Sequence, residues 1–213
     1  KIAMRKSILS FPEQFLFKPK IENLGKLNLK KFSKFIVAGM GGSHLSGELV
    51  RAWKPELNIG IHCDYGLPPV NQADKKNILV IASSYSGNTE ETIDAFKTAL
   101  KRKISVAAIA TGGKLLEFAK KYHIPYIKLP DTGIQPRMAT GLGFVALLKI
   151  LGEEKALAES AKLAHSLKPL KLENKGKNLA KKLKGFVPII YSSRINSAIA
   201  YNWKIKFNET GKI

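Results

Sequence analysis

Cys63 is the only cysteine in the chain. One thiol rules out an internal disulfide framework and a site built from several thiolates, and it fits a reducing compartment, so a cytoplasmic location is expected. Long hydrophobic runs are also missing. A membrane-spanning helix needs roughly 18 or more apolar residues in succession; the nearest stretch, 138–151, is shorter and carries Lys149. No membrane partner is expected. The first ten residues hold no apolar core before a small-residue cleavage site, as a secretory leader would. Acidic residues are scarce, 16 against 36 basic ones, which gives a formal charge of +20. Arginines are scarcer still at five, and the lysines are spread through every segment. A nucleic-acid reader more often shows clustered arginine with interleaved aromatics. The charge therefore reads as a solvated exterior biased toward anionic substrates, and no specific nucleic-acid partner is expected. His, Asp and Glu never cluster at metal-ligand spacing, so neither a metal nor a cofactor is expected.

The most informative stretch runs from Ile78 to Thr92. Residues 78–82 are apolar and rich in β-branched side chains, the signature of a buried parallel strand. From Thr89 onward, Ile93, Phe96 and Leu100 fall on one helical face, and Asn88 with Glu91 has capping-box spacing. Between strand and helix lie Ser84, Tyr85, Ser86 and Thr89, four hydroxyls in six residues with no cation among them. Such a turn can be an ordinary cap, because Ser, Gly and Asn favour turns. The hydroxyl density goes beyond what a cap needs, at the position where unpaired helix N–H groups and the helix dipole hold anions. The loop thus reads as a phosphate site.

Earlier in the chain, the strand at 35–38 runs into Gly39-Met40-Gly41-Gly42-Ser43 and a helix bearing Leu45, Leu49 and Trp53 on one face. This is neither G-x-G-x-x-G, because His44 stands where the third glycine is needed, nor a P-loop. Alone it is equally a tight turn or a ligand loop; the second hydroxyl loop favours the latter. Further strands are read at 59–63, 105–109 and 125–129, the last at a sheet edge because of its prolines. Helices are read at 114–122, 138–151 (apolar nearly all round, hence buried), 153–167 and 173–184, with a short leading helix at 7–17 and a polar connection at 18–34. The β-α alternation specifies an α/β, doubly wound, mostly parallel sheet flanked by helices. At 187–191 the pattern restarts as a strand, followed by Ser192-Ser193 and a helix at 195–207. Residues 1–152 are expected to form a first domain with an N-terminal helical extension, 153–185 linking helices, and 186–213 the start of a second, truncated domain. Lys1 is not an initiator methionine and Ile213 follows no stop signal, so the sequence reads as a piece of a longer chain.

Taken together, Gly39-Met40-Gly41-Gly42-Ser43, Ser84-Tyr85-Ser86-Gly87-Asn88-Thr89 and Gln135-Pro136-Arg137 resemble the sugar isomerase (SIS) domain family. They look most like its bifunctional phosphoglucose/phosphomannose isomerases. Tyr191-Ser192-Ser193-Arg194 and Lys206-Phe207-Asn208-Glu209 resemble the start of that family's second SIS domain. The resemblance implies a five-stranded parallel sheet in each domain, a homodimer, and interconversion of glucose 6-phosphate or mannose 6-phosphate with fructose 6-phosphate. It implies that Gly42 and Ser43 approach the sugar and that Ser84, Ser86 and Thr89 hold its phosphate. Arg137 would steady the enediolate, and Glu209 would move the proton between C1 and C2. A ring-opening His and a substrate-contacting Lys would lie beyond Ile213, so residues 1–213 alone are expected to bind sugar phosphate weakly and to catalyse almost nothing. The chemistry needs these types, since aldose–ketose isomerisation uses one carboxylate as proton shuttle and one fixed cation for the enediolate oxygen. His44 stands where the family has a small residue; it could donate to the sugar or simply face solvent. Cys63 is read as a small core residue. The competing reading is a non-catalytic SIS module that binds a phosphosugar and regulates a partner. Such a sensor would need the hydroxyl loop but neither Arg137 nor Glu209.

Overall fold

The computed structural model describes residues 2–25 and 28–212. Lys26 and Leu27, in the middle of the expected polar connection, lie outside the described residues. Five parallel strands form one sheet in the order β2-β1-β3-β4-β5: β1 (Lys34–Ala38), β2 (Asn58–His62), β3 (Ile78–Ser83), β4 (Ser105–Ala110) and β5 (Tyr126–Lys128). The central strand β3 is buried along its whole length, as its unbroken apolar run requires. At the margin, β5 pairs, among the described residues, only with β4 and with an antiparallel bridge from Glu22.

Helices cover both faces. On one side lie α3 (Glu90–Lys101) and α4 (Gly113–Lys121), which pack Phe96, Leu115 and Leu116 against Val80, Val106 and Ala108. On the other lie α2 (Gly42–Trp53) and α5 (Thr140–Leu151), packed on Val37, Leu79, Ile81 and Ile109. Nine of the twelve residues of α5 are buried, as its all-round hydrophobicity demands. Each fully buried aliphatic side chain there contributes about 1.5–3 kcal/mol. Gln14 fixes the start of α5: its side-chain nitrogen donates to the Met138 carbonyl at 2.7 Å and its oxygen accepts from the Leu142 N–H at 3.2 Å.

Because β2 lies on one side of β1 and β3 on the other, the winding reverses between β1 and β3. Open α/β sheets leave their ligand crevice outside the carboxyl ends of the strands at that reversal. The two loops singled out in the sequence leave from there.

Several expectations are corrected. Residues 187–191 are not a strand: they are irregular, and Val187, Ile189 and Tyr191 are among the most exposed large apolar side chains. A strand exists only by pairing, and no described strand lies beside this one. The leading helix is split into α1 (Ile2–Leu9) and a 3-10 turn, Phe11–Leu16, because Pro12 cannot donate to a continuing helix. The helix expected over 153–167 is two pieces, α6 (Glu154–Ser160) and α7 (Leu163–Ser166). Cys63, one residue past the edge strand β2, is exposed and not in the core. The helix at 173–184 is part of α8 (Pro169–Leu183), which buries no residue and presents its lysines to solvent. It is tied to α1 by the Arg5–Glu173 pair, whose two hydrogen bonds of 3.0 and 2.9 Å pull the Glu173 carboxyl down to about 2. The last helix, α9 (Ser197–Lys206), packs against α2 and opens into a wide π turn, Phe207–Gly211. No helix among the described residues is long and apolar enough to cross a membrane.

Candidate functional site

The glycine loop after β1 is shaped by close approach. Gly41 has φ +53°, open to glycine at little cost, and a Cβ there would lie 3.9 Å from the Glu209 Oε1. Gly42 sits against the turn that carries Arg137: a Cβ would meet the Arg137 Cα at 2.9 Å and the Arg137 nitrogen at 3.0 Å. Next to it, Ser43 knits the two loops together. Its hydroxyl accepts from the Tyr85 N–H at 3.1 Å, and its carbonyl accepts from the Ser83 hydroxyl at 3.0 Å.

The hydroxyl loop divides its labour. Ser84 is fully buried; its Oγ lies 2.8 Å from Thr89 Oγ1 and accepts from the Gly87 N–H at 3.1 Å. That side chain braces the turn. Ser86 is exposed and accepts from the Asn88 N–H at 3.2 Å, while Thr89 is half-buried at the start of α3. The capping box does not form. Thr89 is the N-cap residue and makes no side-chain cap bond, and Asn88 Oδ1 accepts instead from the Lys114 N–H at 3.1 Å. The first N–H groups of α3 therefore have no side-chain oxygen folded back on them, which is the arrangement an incoming anion can use. Behind the loop, Gly87 (φ +73°) touches the backbone of Gly112 so closely that a Cβ would come within 1.8 Å of its carbonyl oxygen. In the sequence, Thr111-Gly112-Gly113 shows only as a turn; its role as a backstop for the hydroxyl loop is a tertiary fact.

Arg137 and Glu209, 72 residues apart, meet at 3.1 Å (Nη1 to Oε2). The guanidinium is the more buried partner, 13% exposed against 43% for the carboxylate. Arg137 Nε also donates to Thr210 Oγ1 at 3.0 Å, and Lys206 Nζ donates to the Arg137 carbonyl. Sequence reasoning gave neither Lys206 nor Thr210 a role: Lys206 entered only as part of the Lys206-Phe207-Asn208-Glu209 motif, and Thr210 is a residue of no marked type. Burial pushes the Lys206 ammonium down from its ordinary value, Arg137 adds to the effect, and Glu209 opposes it.

His44 does not face solvent. It is 4% exposed, its ring centroid lies 5.2 Å from that of Tyr201 on α9, and its Nδ1 has no partner among the described residues. Burial lowers its pKa against the pull of Glu48, with Arg51 reinforcing the drop. The Tyr201 phenol is pushed up, chiefly by burial. Among the described residues no three His, Cys, Asp or Glu side chains gather as a metal site.

Comparison with known proteins gives concordant matches. Residues 172–213 match the family described as the bacterial phospho-glucose isomerase C-terminal SIS domain. The bifunctional phosphoglucose/phosphomannose isomerase of Caldicellulosiruptor bescii is 37% identical over 98% of this chain and 66% of its own length. That of Aquifex aeolicus is 36% identical over 90% of this chain and 59% of its own. The chain thus spans about three-fifths to two-thirds of the length of these two relatives. Among solved structures, tagatose-6-phosphate ketose/aldose isomerase from Escherichia coli superposes with a TM-score of 0.55 at 16% identity, over 98% of this chain and 58% of that one, a likeness of fold.

Proposed function

Because the chain belongs to the bifunctional phosphoglucose/phosphomannose isomerase family, we propose that it carries the reacting groups of an aldose–ketose isomerase. The enzyme interconverts glucose 6-phosphate and mannose 6-phosphate with fructose 6-phosphate through an enediol. The observation that carries this reading is the 3.1 Å approach of Arg137 and Glu209 beside the Gly41–Gly42 loop. Glu209 is the base that takes a proton from one carbon of the C1/C2 pair and returns it to the other. Arg137 steadies the charge that develops on the enediolate oxygen, an electrostatic task suited to a mostly buried, fixed cation. Ser86, Thr89 and the first N–H groups of α3 receive the phosphate, Ser84 keeps that loop in shape, and Gly42 and Ser43 border the sugar. A module that only sensed phosphosugars would need the hydroxyl loop, not a carboxylate and guanidinium brought together from two parts of the chain.

The same reading divides the chain into a first SIS domain over 1–152, linking helices over 153–185 and the start of a second SIS domain from 186. The match to a C-terminal SIS domain over 172–213 supports a second domain at this end of the chain, and it begins within α8, ahead of residue 186. It also makes the full-length protein a cytoplasmic homodimer of sugar-phosphate metabolism.

Glu209→Gln in the full-length protein tests the assignment. It keeps shape and hydrogen-bonding reach while removing the proton-accepting charge. Both isomerase activities should fall together by about 10²–10⁴-fold, the usual size of a lost general base, with the Michaelis constant little changed. Exchange of the C1/C2 hydrogen with deuterated water, followed by NMR, is the direct readout. Undiminished exchange in Glu209→Gln would show that another group moves the proton.

A further inference from the structure

Resting on the reading of Arg137 and Glu209 above, we propose that Lys206 is a positioning residue for the isomerisation, fixing Arg137 through its backbone and supplying a second positive charge beside Glu209. Three side chains from the end of α9 and its π turn converge on Arg137. Thr210 Oγ1 and Glu209 Oε2 hold the guanidinium at 3.0 and 3.1 Å, while Lys206 Nζ holds the Arg137 carbonyl. Lys206 is the last residue of α9, and Glu209 and Thr210 lie in the π turn that follows it.

The contacts are not equivalent. The two on the guanidinium use the groups that a substrate oxygen and a substrate proton must engage, so they give way when substrate enters. Lys206 grips the backbone, which no substrate atom needs, and it can hold throughout turnover. Thr140 Oγ1 reaches the same carbonyl only at 3.5 Å, so Lys206 is its principal donor among the described residues.

A lysine is also an expensive way to do no more than occupy this place. It is half-buried, and the charged groups acting on it are the like-charged Arg137 and the opposite-charged Glu209. Desolvating an ammonium beside a guanidinium costs free energy that an apolar side chain would not incur. The return is one net positive charge in the Lys206–Arg137–Glu209 cluster, where the enediolate's negative charge develops.

Lys206→Met keeps the length of the stem and removes the donor and the charge; Lys206→Arg keeps both. In the full-length protein, Lys206→Met should lower kcat at least tenfold, with KM for fructose 6-phosphate within about twofold of wild type. Lys206→Arg should recover most of kcat. A Lys206→Met enzyme with kcat within twofold of wild type, or with a loss confined to KM, overturns the proposal. Should the Met variant not fold, Lys206→Gln, which removes the charge and shortens the donor, is read by the same two criteria: a tenfold or greater loss of kcat at unchanged KM supports the proposal, and kcat within twofold of wild type or a loss confined to KM overturns it. Glu209→Gln run alongside separates the two assignments. If Glu209→Gln keeps full activity, the reading of the site itself fails. If Glu209→Gln is inactive while Lys206→Met is not, only the role of Lys206 fails.

Discussion

Replacing Gly42 with alanine inserts one methyl group where the start of α2 meets the turn bearing Arg137. The new Cβ would lie 2.9 Å from the Arg137 Cα, 3.0 Å from its nitrogen and 3.2 Å from the Pro136 carbonyl carbon. All three are backbone atoms, so no side chain can rotate away. To restore ordinary contact, the 136–138 turn must retreat by about half an ångström, taking the guanidinium with it. Overpacking of this kind costs about 1–3 kcal/mol, and alanine's better helix propensity and stiffer unfolded chain return about 1 kcal/mol. The net loss, about 0–2 kcal/mol, lowers Tm by only a few degrees in a chain of this size. Catalysis is more sensitive, because a displacement of about 1 Å can cost about 10²-fold. Gly42→Ala should therefore lose at least tenfold in kcat/KM while melting within a few degrees of wild type. Gly47→Ala, on the same helix, is the control: its Cβ would meet Ile61 Cδ1 at 2.8 Å and the Val37 side chain at 3.1 Å, on the sheet and not on the turn that carries Arg137. It should lower Tm and spare kcat. Paired steady-state kinetics and thermal melts decide. If Gly42→Ala retains wild-type kcat/KM, the glycine contact does not set the position of Arg137.

Three further outcomes are expected. Ser86→Ala with Thr89→Ala removes two hydroxyls from the proposed phosphate loop, each charge-assisted hydrogen bond worth about 1.5–3 kcal/mol; fructose 6-phosphate should bind at least tenfold more weakly, and unchanged affinity by calorimetry would move the phosphate elsewhere. Burial depresses the His44 pKa in the folded chain, so the unfolded chain binds the proton first as pH falls. Folding stability should then drop below about pH 6.5 by up to about 1.4 kcal/mol per unit, and His44→Phe should flatten that slope in denaturant melts at pH 7 and pH 5; parallel slopes would refute the assignment. Duplex DNA should bind the +20 chain weakly at physiological salt and without sequence preference, whereas clear sequence discrimination in a salt titration would contradict the reading of its lysines as a solvated exterior.

Local chemistry decided the strands. Residues 78–82 and 105–109 are short, mostly apolar runs of the kind that buried parallel strands carry, and they became β3 and β4 almost to the residue. The hydroxyl turn and the glycine loop were legible for the same reason, since strand–turn–helix spacing is short-range. Local chemistry was insufficient wherever a distant partner competes. Asn88 has capping-box spacing, yet the Lys114 N–H claims its oxygen. Residues 187–191 have strand composition, yet no described strand pairs with them. His44 opens a helix in sequence and is buried in space because Tyr201, 157 residues later, lies over it. The juxtaposition of Arg137 with Glu209, and the grip of Lys206 on the Arg137 carbonyl, belong wholly to the tertiary structure. Sequence supplied two motif residues of the right chemical type and no distance between them. The distance comes from α9 packing on α2, an alignment set by the shape of two helix faces that no local propensity encodes.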